Sequence, residues 1–221
     1  MNKRPRIKIC CISSVEEAMM AVNAGADALG LVSHMPSGPG VISEELIKEI
    51  VVHIPPPIGS FLLTSEINAP SIIAQHQNVQ TNTIQLVDAI PLEQYALLRR
   101  GLPTVKLVQV IHVIDEKSVE EAMEIAPHVD ALLLDSGNPN AAVKILGGTG
   151  KTHNWAVSRK IVESVSIPVF LAGGLNANNV QQALDEVNPY GLDLCSSVRT
   201  DGNLDADKLE KFFSAAMSHG S

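Results

Sequence analysis

Four stretches of this chain place a reactive or ligand-binding residue type directly after a short apolar run. They are Cys10, Asp135, the pair Gly173-Gly174 and the pair Ser196-Ser197. Thiol and carboxyl groups are reactive side chains. Glycine-rich loops expose backbone N–H groups that bind anions such as phosphate. The spacing therefore suggests one site with both reactive groups and an anion-binding end.

Each of these residues also has a purely structural interpretation at this point. A cysteine is most often a small buried apolar residue, and strand alternation sends one side chain of Cys10-Cys11 to the interior and the other outward. Asp135 precedes Ser136-Gly137-Asn138-Pro139, which is typical of a turn. Gly173-Gly174 is equally consistent with a turn.

The elements that must position these residues alternate between strands and helices. Strands rich in Val, Ile and Leu indicate a buried parallel sheet. Eight units in 221 residues, about 28 residues each, fit a (β/α)8 TIM barrel, with residues 1–221 as a single domain. A doubly wound sheet would carry a glycine-rich motif after strand one, which is missing. The strands are predicted at 7–12, 26–32, 58–63, 83–87, 104–111, 129–134, 168–172 and 191–195, and the helices at 15–24, 43–52, 69–78, 91–100, 116–126, 154–164, 178–186 and 206–216.

A barrel brings the four stretches together, because the carboxyl ends of its strands form one face that carries the active site. The loops after strands seven and eight commonly bind phosphate in such barrels. Gly173-Gly174 and Ser196-Ser197 follow these two strands. We therefore expect a phosphate site there.

Composition and charge exclude several classes of protein. The net charge of −8 and only seven aromatic residues argue against a nucleic-acid partner. Three cysteines, two of them adjacent, form neither a disulfide framework nor a CxxC zinc site. No secretory signal or long apolar run is present, so we expect no membrane partner and a cytoplasmic location.

Two further motifs are rejected on their spacing. The stretch 147–152 resembles a P-loop, but Ile145 stands where its first glycine should be. The seven histidines lack metal-binding spacing, so we expect no metal site. The stretch 147–152 remains either a flexible connection or a loop whose amides line the site.

Taken together, the motifs resemble the phosphoribosylanthranilate isomerase family of tryptophan biosynthesis over nearly the whole chain. The most specific segments surround Asp135, 147–150 and Gly173-Gly174. Further segments in the same order are Lys8-Ile9-Cys10, 25–30, 84–86, Trp155, 168–175 and 191–198.

The resemblance implies an aldose–ketose isomerisation, an Amadori rearrangement of a phosphoribosyl-amine, without a cofactor. It implies that Cys10 is the general base at the sugar C2 and that Asp135 is the general acid at the ring oxygen. The substrate is a small phosphorylated sugar derivative, and monomer and homodimer both remain open. The residues implied to bind substrate or phosphate are Gly148, Gly173, Gly174, Asp193, Ser196 and Ser197.

Five departures from the family pattern occur, and they alter chiefly the end of the site for the aromatic acid. One is His153-Asn154, which precedes Trp155 in place of the family's Phe-Asp. Gly40 stands where the family has an arginine for the anthranilate carboxylate, and Leu86-Val87-Asp88 at the end of strand four lacks the family's His and Gly. The usual Cys-Gly is Cys10-Cys11, and Val198-Arg199 lacks a Gly and a Glu. Two alternatives therefore stand beside the isomerase: a paralogue acting on another phosphoribosyl-amine, and a non-catalytic barrel that binds sugar phosphates.

Overall fold

A computed structural model describes residues 4–36, 38–136 and 154–218. Within them, eight parallel strands close into a barrel in sequence order, with β1 pairing both β2 and β8. The predicted (β/α)8 fold class is therefore confirmed. The strands are β1 (Arg6–Ile9), β2 (Ala28–Val32), β3 (Gly59–Thr64), β4 (Thr83–Leu86), β5 (Lys106–His112), β6 (Ala131–Asp135), β7 (Val169–Leu171) and β8 (Gly191–Leu194).

Each strand is followed by one of the helices that surround the barrel. The helices are α1 (Val15–Ala24), α2 (Glu44–His53), α3 (Ala69–Val79), α4 (Leu92–Gly101), α5 (Lys117–Ile125), α6 (Trp155–Ser164), α7 (Val180–Val187) and α8 (Ala206–Met217). Short 3-10 turns at Ala126–His128 and Ser196–Val198, and a small hairpin of β9 (Arg199–Thr200) and β10 (Asn203–Leu204), were not expected. None of the described helices is long and apolar enough to span a bilayer.

Local sequence signals explain where the first helix begins and ends. The Ser14 side chain accepts a hydrogen bond from the Glu17 N–H at 3.2 Å, which caps the start of α1. Gly25 ends the helix with φ of +108°, a left-handed conformation that glycine adopts without steric cost. The chain then enters β2 beside β1.

The two faces of the barrel wall pack separately. Residues between the strands and the helices form a continuous apolar layer that includes Ile7, Ile9, Leu29 and Leu31. The barrel interior holds a second cluster with Phe61, Val108, Leu133 and Phe170. Leu, Ile and Val therefore build the wall, and the interior accommodates polar groups among its apolar ones.

The end of strand one differs from the prediction. The strand ends at Ile9, three residues earlier than expected, and Cys11 has a left-handed φ of +63°. Because alternation stops there, the Cys10 and Cys11 side chains both reach the mouth of the barrel. The expectation that one of these thiols faces the helix layer was therefore wrong.

Candidate active site

A cleft that opens to solvent lies at the carboxyl ends of the strands. It brings together the residues that the sequence singled out on separate units of the chain. Seven of them line the cleft: Cys10, Asp135, Gly173, Gly174, Asp193, Ser196 and Ser197. Gly148 and the rest of 147–152 lie outside the described residues.

The neighbouring strand positions Cys10 at the cleft, and a glycine beside it leaves room for its side chain. Its backbone N–H donates to the Leu194 carbonyl at 2.7 Å, and the residue is 6% exposed. A Cβ on Gly30 would lie 2.8 Å from the Cys10 Sγ and 3.0 Å from the Lys8 Nζ. Glycine at position 30 therefore provides the space for this thiol and for the amine beneath it.

Lys8 and Asp193 form a buried ion pair below the cleft. Their side chains are 0% and 8% exposed, and Lys8 Nζ lies 2.9 Å from Asp193 Oδ1. Burial disfavours the ammonium, but attraction to Asp193 and to a Cys10 thiolate outweighs it, so the pKa of Lys8 lies above its ordinary value. The pair places the Lys8 ammonium, with Asp193 as its counter-ion, beneath Cys10.

Asp135 is the last residue of β6 and points toward the same cleft. Its Oδ1 accepts a hydrogen bond from the Ser136 N–H at 2.7 Å. Burial raises the pKa of Asp135 above its ordinary value, although the Ser136 hydrogen bonds, His112 and Lys8 oppose this effect. A carboxyl group with a raised pKa holds a proton closer to neutral pH, as an acid catalyst must.

The loop after β7 requires glycine next to Asp135. Gly173 and Gly174 have φ values of +82° and +65°, and a Cβ on Gly173 would lie 3.2 Å from Asp135 Oδ1. The Gly174 carbonyl accepts hydrogen bonds from the side chains of Asn176 and Asn179. The loop is thus fixed in a conformation whose backbone lines the cleft.

The turn after β8 contributes two serines of different character. Ser196 is exposed, whereas the Ser197 hydroxyl oxygen is buried and has no hydrogen-bond partner among the described residues. A buried hydroxyl without a partner normally costs free energy. It is therefore available for a polar ligand in the cleft.

The cleft also contains residues that sequence reasoning did not assign to the site. Gln85 is 3% exposed, and its Oε1 lacks a partner among the described residues. Cys11, Cys195 and Met35 line the mouth. Lys8 could have been found as the one charged residue inside the apolar run 7–12.

No cluster of three or more metal-ligating side chains occurs in the part of the chain that the structure describes.

A family model and curated relatives assign the chain to one family. The family described as N-(5'-phosphoribosyl)anthranilate (PRA) isomerase matches residues 7–215. N-(5'-phosphoribosyl)anthranilate isomerase 2 of Methanosarcina mazei is 36% identical over 215 residues, which cover 96% of this chain and 94% of the relative. The isomerase of Haloferax volcanii is 33% identical, with coverage of 96% and 93%.

Solved structures show the same relationship in three dimensions. Phosphoribosyl anthranilate isomerase from Thermotoga maritima superimposes with a TM-score of 0.82 at 30% identity, covering 97% of this chain and 99% of the other. A phosphoribosyl anthranilate isomerase in complex with reduced 1-(o-carboxyphenylamino)-1-deoxyribulose 5-phosphate has a TM-score of 0.81 at 27% identity, with the same coverage. The resemblance seen in the motifs is confirmed, and this chain belongs to the N-(5'-phosphoribosyl)anthranilate isomerase family.

Proposed function

We propose that Cys10 and Asp135 are the base and the acid with which this chain isomerises N-(5-phosphoribosyl)anthranilate to 1-(2-carboxyphenylamino)-1-deoxyribulose 5-phosphate. The observation that carries the proposal is the placement of both residues on one cleft, with Cys10 directly after β1 and Asp135 at the end of β6. Acid and base must reach different atoms of one sugar, which residues from separate strand ends can do. The expected location of such an enzyme of tryptophan biosynthesis is the cytoplasm.

The reaction needs two proton transfers by these residues. Asp135 donates a proton to the ring oxygen, the bond between that oxygen and C1 breaks, and an iminium forms between C1 and the anthranilate nitrogen. The Cys10 thiolate then removes the C2 proton to give an enolamine. Protonation of C1 and loss of the C2 hydroxyl proton give the ketone, so the composition of the substrate is unchanged and no cofactor takes part.

The electrostatics of the cleft suit these roles. The raised pKa of Asp135 favours the protonated acid. The Lys8 side chain lies beneath Cys10, next to Gly30, and Asp193 Oδ1 holds its ammonium at 2.9 Å. Asp193 is therefore proposed as a positioning residue that acts through Lys8.

The phosphate end of the substrate is proposed to lie between the loops after β7 and β8. Gly173 and Gly174 would supply backbone N–H groups, and Ser196 and Ser197 would supply hydroxyl and backbone donors. The buried Ser197 hydroxyl supports this assignment because it lacks a partner among the described residues. Gly148 is retained as a substrate-binding candidate on the resemblance alone.

The proposal is tested by following the loss of substrate fluorescence with purified protein. We expect turnover by the native chain and a decrease of about 10²–10⁴-fold in kcat for Cys10→Ala and for Asp135→Asn. Asp207→Asn, which changes an exposed aspartate of α8, is the matched control. Folded native protein that binds inorganic phosphate without turnover would instead indicate the non-catalytic barrel.

A second candidate substrate follows from the aromatic end of the cleft. Gly40 occupies the position of the family's arginine and leaves the anthranilate carboxylate without that bidentate partner. The same acid and base could then act on a phosphoribosyl-amine with another substituent. A higher kcat/KM for an aniline derivative without the carboxylate than for the anthranilate substrate would favour this alternative.

A further inference from the structure

Two thiols that the proposed reaction does not use meet at the mouth of the barrel. Cys11 follows β1 and Cys195 follows β8, and their sulfur atoms are 2.6 Å apart. The contact arises because Ile9 and Leu194 are register partners on neighbouring strands. All three cysteines are free thiols in this structure.

We propose that Cys11 and Cys195 form a reversible disulfide when the protein meets a low-molecular-weight disulfide such as oxidised glutathione, and that this bond switches the isomerase off. The two sulfur atoms are already near neighbours, at 2.6 Å compared with about 2.05 Å in a disulfide. Cys195 is only partly buried, so a small disulfide can approach it from the cleft.

The two thiols are unequal, which assigns the order of attack. The hydrogen bond between the Cys195 and Cys11 sulfur atoms lowers the pKa of Cys195, and the Arg199 guanidinium adds to this effect against the opposing effect of burial. Cys11 has a raised pKa because of its hydrogen bonds with Cys10 and Cys195 and its burial. Cys195 is therefore the thiolate that attacks first, and Cys11 is the resolving thiol.

The chemistry balances with the small disulfide as the oxidant. The Cys195 thiolate attacks one sulfur of glutathione disulfide, which forms a mixed disulfide and releases one glutathione thiolate. Cys11 loses its proton to that thiolate and attacks the Cys195 sulfur, which releases the second glutathione thiolate. Two cysteine thiols are oxidised and one glutathione disulfide is reduced to two thiols.

The bond connects the two segments on which the proposed mechanism depends. Cys11 is adjacent to Cys10, and Cys195 directly precedes the Ser196-Ser197 pair at the proposed phosphate end. Cys11 and Cys195 also line the cleft beside Cys10, so a disulfide between them is expected to restrict entry of the substrate to Cys10. Disulfide formation is independent of the proposed function, whereas loss of turnover rests on it.

The test exposes the full-length protein to glutathione buffers of increasing oxidised fraction, traps free thiols by alkylation, and maps the peptides by mass spectrometry. We expect a peptide linked through Cys11 and Cys195, one alkylated thiol at Cys10, and turnover that falls at least tenfold and returns with dithiothreitol. The Cys10→Ser variant lacks the proposed base, so it should not turn over substrate, but it should form the same crosslink. A crosslink in this variant shows that disulfide formation does not depend on the proposed function.

Matched controls are Cys11→Ser and Cys195→Ser, each compared with its own reduced form. Neither variant should lose turnover in the oxidised buffers. Three alkylated thiols in native protein at every buffer ratio would overturn the proposal. Equal loss of turnover by Cys195→Ser and native protein, or a crosslink without any loss of turnover, would overturn the switch.

Discussion

A Cβ placed on Gly40 would lie 2.5 Å from the Cβ of Cys11 and 2.9 Å from its Cα, so these two residues share one small space. Cys11 occupies a left-handed conformation that favours glycine, and its family pattern is Cys-Gly. Gly40 stands where the family has arginine. The two departures are therefore coupled, because the side chain of Cys11 leaves no room for a side chain at position 40.

This coupling predicts a non-additive pair of substitutions. Gly40→Ala should destabilise the native chain through overlap with Cys11 and through its φ of +77°. In a Cys11→Gly background the overlap disappears and only the backbone strain remains. We expect a coupling free energy of about 1–3 kcal/mol from urea unfolding of the four proteins. Additive effects would show that the two positions do not compete for space.

Asp135→Asn should lower the activity of the protein while raising its stability. Turnover should fall by about 10²–10⁴-fold, because asparagine has no proton to donate as an acid. The free energy of unfolding at pH 7 should rise, because asparagine removes a carboxylate that is disfavoured by burial. Chemical denaturation and steady-state kinetics on the same preparation measure both quantities.

The sign of the stability effect follows from proton linkage. The pKa of Asp135 is higher in the folded protein than the value of about 3.9 for an unfolded aspartate. The folded state therefore binds more protons between these two values, and stability falls as pH rises through that window. The gain from Asp135→Asn should be small below pH about 3.9 and largest above the folded pKa. A gain that is independent of pH would contradict this explanation.

Ser197→Ala should weaken substrate binding more than it slows the chemical step. A hydrogen bond from a hydroxyl to a charged phosphate contributes about 1.5–3 kcal/mol, which corresponds to an increase in KM of roughly 10–150-fold. Unfolding without ligand should change little, because the buried hydroxyl has no partner to lose among the described residues. Steady-state kinetics with inhibition by inorganic phosphate measures the effect, and Ser214→Ala, at an exposed residue of α8, is the control. An unchanged KM would place the phosphate elsewhere.

The sequence allowed the fold and most of the candidate cleft to be predicted, because both depend on local patterns. Each strand end is marked by an apolar run. The barrel brings Cys10, Asp135 and Gly173 to one face regardless of where the helices begin and end. The position of Cys11 could not be predicted. Alternation predicts its direction only while the strand continues, and the strand ends at Ile9.

Contacts between distant units also escaped prediction. The Lys8–Asp193 ion pair joins β1 to β8 across 185 positions of the chain, and nothing local to either residue identifies its partner. Arg199 replaces the family's glutamate, yet its side chain pairs with Glu17 at 2.9 Å in an interior position. Such pairs follow from barrel closure and register, which become visible only when the first and last strands meet.

The buried Lys8–Asp193 pair predicts that removal of one partner alone strongly destabilises the protein. Lys8→Met leaves the Asp193 carboxylate buried without its counter-ion and should cost about 3–5 kcal/mol in the free energy of unfolding. Lys8→Met combined with Asp193→Leu removes both charges and should be less destabilising than Lys8→Met alone, because an apolar pair in the barrel interior leaves no unpaired charge. Urea unfolding measures both effects, with Lys106→Met on an exposed side chain as the control. A double variant that is less stable than Lys8→Met would show that the ion pair contributes more than charge neutralisation.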